Sequence, residues 1–265
     1  MRFTPEDHTF AVCAYGESPW LADCLKSLAA QTVRTRILIA TGTPNGTIDR
    51  AAEQYHVPVI VHEGGKGIGS DWNAAFDAAG TKLVTITHQD DLYDPRYAEQ
   101  MLADMNRAKD PIIWFCGYGE LRNGETVYVN RNLKIKKAML SPLKNRAGQG
   151  SRWVRRRVLS LGSPICCPAV TYVKEKAGES PFSTEMKVSL DWDQWEKLSR
   201  KKGEFVYCPE TLMKHRVHEG SATTELIADE TRSKEDLEMF RRFWPDGIAK
   251  LIEKRYQKSE ESNEI

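Results

Sequence analysis

An α/β fold with a mostly parallel central sheet, flanked by helices on both faces, is predicted by three features of the 265-residue sequence. Short and nearly continuous apolar stretches recur at 10–15, 36–41, 57–62, 83–87 and 112–116, the pattern of strands buried on both sides. Between them apolar residues return at helical spacing. The connections are short, as strand–helix–strand units require.

Residues 10–15 read as the first buried strand. Ser18-Pro19 is expected to open the next helix, with serine as cap and proline at the first helical position, and Trp20, Leu21, Cys24, Leu25 and Leu28 form its inner face. The second strand, 36–41, is followed by a turn at 42–46, a helix through Tyr55 and a third strand at 57–62. After the glycine-rich 64–69, Trp72, Ala75, Phe76 and Ala79 line a helix, and 83–87 is the fourth strand. Asp94-Pro95 begins a helix with Tyr97, Met101, Leu102 and Met105 inward, and 112–116 is the next strand.

Beyond Tyr118 the rhythm changes. A hairpin partner at 126–129 precedes a basic segment and a strand at 169–173. A helix capped by Ser189 carries Asp191, Trp192, Trp195 and Leu198, then comes a strand at 204–207 and a turn-rich stretch at 215–221. Residues 234–256 read as one amphipathic helix with a bend at Trp244-Pro245, and 258–265 as a frayed tail.

An apolar content of 40% with 28% charged residues fits an ordinary globular chain. No run of 18 apolar residues provides a membrane span, and residues 1–9 do not look like a signal peptide, so a cytoplasmic protein is expected. The six cysteines lack metal-site spacing and are expected to be buried free thiols. Asn45-Gly46-Thr47 is simplest as a turn. The net charge of +1 conceals an asymmetry: Arg131, Lys134, Lys136, Lys137, Lys144, Arg146, Arg152, Arg155, Arg156 and Arg157 occur without an intervening acid.

Ligands of parallel α/β sheets meet the loops beyond the carboxyl ends of strands. The fourth strand ends in Thr87-His88-Gln89-Asp90-Asp91, and adjacent carboxylates suit a site where a divalent cation neutralises them. A solvated helix-start cluster explains the pair alone equally well. Gly64-Gly65-Lys66-Gly67 is neither a Walker loop nor a dinucleotide fingerprint, which argues against ATPases and dehydrogenases.

In order and spacing these residues resemble the inverting family 2 glycosyltransferases, whose GT-A fold joins a Rossmann-like sheet binding a nucleotide diphosphate sugar to an acceptor-binding half. Ala14-Tyr15, with Trp20, Leu21, Cys24, Leu25, Ser27, Leu28 and Gln31-Thr32, is similar to the family's first strand and helix, where the loop contacts the nucleobase; Glu17 lies in the same loop. The turn at 43–49 resembles the family's polar turn and sets Thr43 and Asp49 near the nucleoside, with Gly42-Thr43 where an early aspartate is usual. Gly67, Ser70 and Asn73 resemble the signature ahead of the metal motif, and Lys66 falls in that donor loop. His88-Gln89-Asp90-Asp91 with Pro95 resembles the aspartate-x-aspartate motif, with His88 in place of the first aspartate, Asp90 as the metal-contacting acid and Asp91 as its neighbour. Leu190-Asp191-Trp192-Asp193 is similar to the second acidic motif, Leu190 replacing a glutamate and Asp191 matching the catalytic base. Arg216-Val217-His218-Glu219-Gly220-Ser221 resembles a segment that closes over the donor diphosphate, where His218 would reach metal or phosphate.

The resemblance implies a glycosyltransferase with Mg2+ or Mn2+ as cofactor, a nucleotide diphosphate sugar as donor and a glycan or lipid-linked acceptor. Residues 1–120 would form the donor half, 121–232 the acceptor and base half, and 233–265 a C-terminal helix and tail. Direct displacement needs a base and a stabiliser for the leaving diphosphate, and Asp191 in a first helical turn is expected to be ionised at neutral pH. A sugar nucleotidyltransferase, or a non-catalytic sugar-nucleotide binder of the same fold, are the alternatives. Trp192 and Trp195 fit either core packing or an acceptor floor. His8, His56 and His62 read as structural or solvent-facing, and His215 as a weaker candidate than His218. The basic segment reads as a contact for a lipid-linked acceptor at the inner face of the membrane, as a neighbour of the donor phosphates, or as a solvated mobile loop. Trp153, Val154 and Leu159 among its arginines favour a membrane surface or an anionic acceptor. Nucleic acid is not expected, since no recognition element interleaves with the charges.

Overall fold

The computed structural model describes residues 3–63, 67–218 and 231–261. A 3-10 turn, Pro5–Asp7, leads into β1 (His8–Cys13), α1 (Leu21–Ala29), β2 (Arg36–Thr41), α2 (Gly46–Tyr55), β3 (Val59–Val61) and α3 (Ile68–Ala78). Then come β4 (Leu83–His88), β5 (Leu92–Tyr93), α4 (Tyr97–Arg107), β6 (Pro111–Arg122), β7 (Glu125–Val127), α5 (Arg131–Met139), α6 (Arg146–Gly150) and α7 (Arg152–Leu159). The chain continues through β8 (Val170–Val173), α8 (Lys174–Ala177), α9 (Leu190–Ser199), β9 (Glu204–Val217), α10 (Thr231–Arg241) and α11 (Asp246–Glu261).

The strands form one sheet in the order β3-β2-β1-β4-β8-β6-β9-β5, with β7 beside β6. β3, β2, β1 and β4 are parallel. β8 lies antiparallel between β4 and β6, and β9 runs parallel to β6. With β5 and β7 also antiparallel to their neighbours, the sheet is mixed, although most strands share a direction. Alternation in β1 feeds a core on each face. Phe10 and Val12 pack with Leu21, Leu25, Ile48, Tyr97 and Met101 from α1, α2 and α4; Ala11 packs with Trp72, Phe76, Trp192, Trp195 and Phe240 from α3, α9 and α10.

Several expected boundaries move for identifiable reasons. The first helix begins at Leu21 and not at Pro19, because the Ser18 hydroxyl accepts the Trp20 N–H within the preceding turn. The strand expected at 204–207 extends to Val217, since it pairs along the whole of β6 across bulges near Gly117. That extension delivers residues 215–218 to the sheet edge. The basic segment is helical, with Asn130, Asn145 and Ser151 capping α5, α6 and α7, so the mobile-loop reading is replaced. The long C-terminal helix is two helices, α10 and α11, broken around Trp244-Pro245 as a proline requires. Gly69 allows α3 to meet the 183–184 backbone: a Cβ there would lie 2.0 Å from the Ser183 carbonyl oxygen. All six cysteines are free thiols.

Candidate active site

β4 ends at His88, and the turn that follows carries both acids into β5. Because β5 pairs with β9 (Leu92 opposite Lys214), the end of β9 lies against that turn. Asp91 is fully buried; its Oδ1 accepts the Arg216 N–H at 2.9 Å and faces His215 Nδ1 at 3.0 Å. Asp90 Oδ2 faces His218 Nε2 at 2.9 Å, and Arg216 Nε donates to the Asp90 carbonyl at 2.8 Å. Trp20, just before α1, braces the clasp: the Arg216 guanidinium lies 5.3 Å from its ring and the His218 ring 4.1 Å.

Electrostatics separate these groups. Burial pushes the Asp90 carboxyl up, but His88, the hydrogen bond to His218 and His215 together hold it below its usual range. Burial lowers His88 against the pull of Asp91 and Asp90, so its imidazole is neutral at neutral pH. Burial also acts to lower His215, yet Asp91 beside it leaves it raised. Among the described residues, His88 Nε2 and Asp91 Oδ2 are buried without a hydrogen-bond partner, a state that costs free energy unless another group satisfies them. Ligand atoms of His88, Asp90 and Asp91 lie within 4.8 Å of one another. One imidazole and two carboxylates suit a divalent cation such as Mn2+.

The loops after β1, β2 and β4 are tied into a rim. Gln89 holds the Tyr15 backbone from both sides, accepting its N–H at 3.1 Å and donating to its carbonyl at 2.9 Å. Thr43 Oγ1 accepts the Gly16 N–H at 2.7 Å, and Asn45 donates to the Gly16 carbonyl at 2.9 Å. Ala14 is buried, with its N–H on the Ala40 carbonyl. The Tyr15 ring is 68% exposed, leaving its face available. Glu17 is exposed in the same loop and Asp49 in the first turn of α2. His62 lies 3.6 Å from Asp71 and close to Gly42, and both its ring nitrogens are buried without hydrogen-bond partners among the described residues. Asn73 uses both ends of its amide on the Phe182 backbone, each at 2.8 Å, fastening the 182–184 segment to α3. Lys66, Gly64, Gly65, Glu219, Gly220 and Ser221 lie outside the described residues.

Asp191 sits in the first turn of α9. Burial raises its carboxyl to about 6, against the Trp192 N–H and the charges of Lys136 and Arg232. Its helix terminus therefore does not offset desolvation as expected, although the group is still mostly ionised at neutral pH. Ser189 does not cap α9; its hydroxyl donates to Asp236 at 2.9 Å. Lys136, from α5, donates to the Tyr118 hydroxyl at 3.0 Å, and its charge acts on both Asp191 and His215. Burial raises the Cys166 thiol, and the charges of Asp91 and Asp191 raise it further. Trp192 and Trp195 are core residues, their ring N–H groups donating to the Leu159 carbonyl at 3.1 Å and the Tyr172 hydroxyl at 3.0 Å.

The structure also brings in His215 beside Asp91, His62 beside Asp71, Lys136 beside Tyr118 and Gln89 on the Tyr15 backbone. No regular alternation in 211–217 marks a strand continuing past Tyr207, and nothing local pairs that strand with Asp91.

A sheet of this order, carrying strand-end acids clasped by histidines, defines a GT-A glycosyltransferase domain. The model of glycosyl transferase family 2 matches residues 9–161, more than half of the chain, and the chain belongs to that family. Over 112 residues it is 28% identical to EpsH of Bacillus subtilis (strain 168), named as a candidate glycosyltransferase. That match covers 40% of this chain and 32% of the relative, so the chain spans about a third of that protein's length. Among solved structures, S. aureus TarS 1-349 in complex with UDP-GlcNAc matches with a TM-score of 0.65 at 15% identity, over 93% of this chain and 70% of that one. The mannosyltransferase PcManGT from Pyrobaculum calidifontis, in complex with GDP-Man and Mn2+, matches with a TM-score of 0.64 at 15% identity, over 89% and 63%. At such identities the likeness is one of fold.

Proposed function

We propose that this chain moves a sugar from a nucleotide diphosphate sugar to a glycan or lipid-linked acceptor by direct displacement with inversion, assisted by Mg2+ or Mn2+. The observation that supports the reading is the contrast between two acidic groups: Asp90 held low amid histidines, and Asp191 raised by burial. Asp90 and Asp91, with His88 and His218, would hold the cation, which when bound offsets charge on the departing diphosphate. His215 and the Arg216 N–H orient the Asp91 carboxylate, as outer partners of metal ligands commonly do. Asp191 takes the proton of the acceptor hydroxyl; a carboxyl near 6 is ionised at neutral pH and more basic than an ordinary aspartate.

The donor would lie along Ala14, Tyr15, Glu17, Thr43, Asp49 and Lys66, with the Tyr15 ring offering a stacking face and His62 with Asp71 a polar wall. Asn73 acts indirectly, by holding the 182 segment. The donors in the TarS and mannosyltransferase complexes, and the Mn2+ in the latter, support this class of ligand. Thermal-shift measurements with UDP- and GDP-sugars, with and without Mn2+, followed by product analysis, test the proposal. A metal-dependent rise in melting temperature and release of nucleoside diphosphate are expected. Release of pyrophosphate, or no metal-dependent shift with any donor, would sink it.

A further inference from the structure

Large exposed apolar side chains are unevenly distributed. Apart from Tyr15, Ile60 and Val61, they are Tyr128, Val129, Ile135, Trp153, Leu161, Ile248 and Leu251. Four of these lie on α7, the turn after it and α11, where the arginines sort by direction. Arg155 is buried and donates to the Gly203 and Lys201 carbonyls. Arg156 pairs with buried Glu196. Arg152, Trp153, Arg157 and Leu161 face outward, and Trp153, Arg157 and Leu161 follow one another at four-residue intervals, along one helix face and its continuation.

The Arg157 guanidinium lies 5.8 Å from the Trp153 ring and 4.8 Å from that of Trp244. The Trp244 indole N–H donates to the Ser160 carbonyl at 2.7 Å, which ties the start of α11 to the end of α7. On α11, Ile248 and Leu251 are exposed one turn apart, with Lys254 and Arg255 exposed beyond them. Asp246 is engaged by Arg241 at 2.7 Å and Lys250 at 2.8 Å, and Glu253 accepts the Ser233 hydroxyl at 2.7 Å.

We propose that this face of α7 and α11 docks on an anionic phospholipid bilayer. Trp153, Leu161, Ile248 and Leu251 enter the headgroup boundary, while Arg152, Arg157, Lys254 and Arg255 meet lipid phosphates. Indole and guanidinium side by side suit that interface, where an apolar body and a charged head are both accommodated. The charge of the segment favours lipid over a second copy of the chain, because a self-complementary contact would set arginine against arginine. No helix among the described residues is long and apolar enough to cross a membrane, so the contact lies on the surface. The proposal makes no use of the donor site and stands or falls separately from the transfer reaction.

Cosedimentation of the full chain with phosphatidylcholine vesicles, with and without phosphatidylglycerol, tests it. Binding should require phosphatidylglycerol and weaken with salt. Arg157→Gln should reduce it about fivefold, on the order of one basic residue at such a surface. Trp153→Ala should reduce it about tenfold, and Leu251→Ser should also weaken it, so the result does not depend on one variant; melting temperatures would confirm that all remain folded. Absence of phosphatidylglycerol-dependent binding, or binding indifferent to all three substitutions, would overturn the proposal. So would a lipid-independent dimer abolished by Trp153→Ala.

Discussion

Asp90 and Asp191 share a side chain, yet their surroundings drive them in opposite directions. Around Asp90, burial is outweighed by His88, His218 and His215, and the carboxyl stays ionised below the ordinary range. Around Asp191 burial prevails and the carboxyl rises to about 6. Paired titratable groups whose environments pull them apart are suited to separate tasks: the first to hold positive charge, the second to accept a proton. The difference comes from what packs on each acid. Two elements, the β4 turn and the end of β9, surround Asp90 with imidazoles, whereas the charges of Lys136 and Arg232 only partly offset the desolvation of Asp191.

The largest effect that would break this comparison is on transfer. Asp191→Asn should lower the rate about a thousandfold, within the usual contribution of a positioned base, while calorimetry shows donor binding unchanged; equal turnover would end its assignment as the base. Since the active form is deprotonated, the wild-type rate should fall about tenfold per pH unit below about 6. A profile flat down to pH 4.5 would place the essential group elsewhere.

Asp90→Asn should weaken Mn2+ binding about a hundredfold in a titration followed by melting temperature or electron paramagnetic resonance, a range typical of disturbed metal sites. Unaltered affinity would separate this corner from the metal.

Stability should sharpen the contrast through its sign. The folded-state value for Asp191, about 6, exceeds the ordinary 3.8, so the folded protein binds this proton more tightly than the unfolded chain. That contribution is fully present below 3.8 and is lost as pH rises to about 6, roughly 1.4 kcal/mol per unit. Asp191→Asn should therefore be more stable than wild type at pH 7, by up to about 3 kcal/mol. Asp91→Ala should be less stable by about 2 kcal/mol, because the Arg216 N–H and His215 lose their buried acceptor. Chemical denaturation at pH 5 and pH 7 reads both. The smallest expected change is from Trp20→Ala, which removes the ring bracing Arg216 and His218; about a threefold rise in donor KM, with kcat little changed, matches a single cation–π contact.

Much of this site was legible because it is local. The acids at the end of β4, the turn at Thr43 and the helix-borne Asp191 are each announced by a few adjacent residues. His215 was discounted because its partner, Asp91, lies in a distant segment, and only the β5–β9 pairing brings them together. Asn73 belongs to the signature ahead of the metal motif, and the fold commits both ends of its amide to the Phe182 backbone. Ser189 looked like a cap until Asp236, from α10, claimed its hydroxyl. In the basic segment the charges were countable, but their directions were not: Arg155 points in and Arg157 out.

By itself the sequence determined the strand and helix alternation, the acids at a strand's carboxyl end and the break at Pro245, because these follow from side-chain periodicity and backbone restrictions acting over a few residues. The tertiary structure alone decided the antiparallel insertion of β8, the histidine clasp on Asp90 and Asp91, and the raised carboxyl of Asp191. Strand order, contacts across more than a hundred residues and the degree of desolvation depend on how whole elements pack, and no short window of sequence contains them.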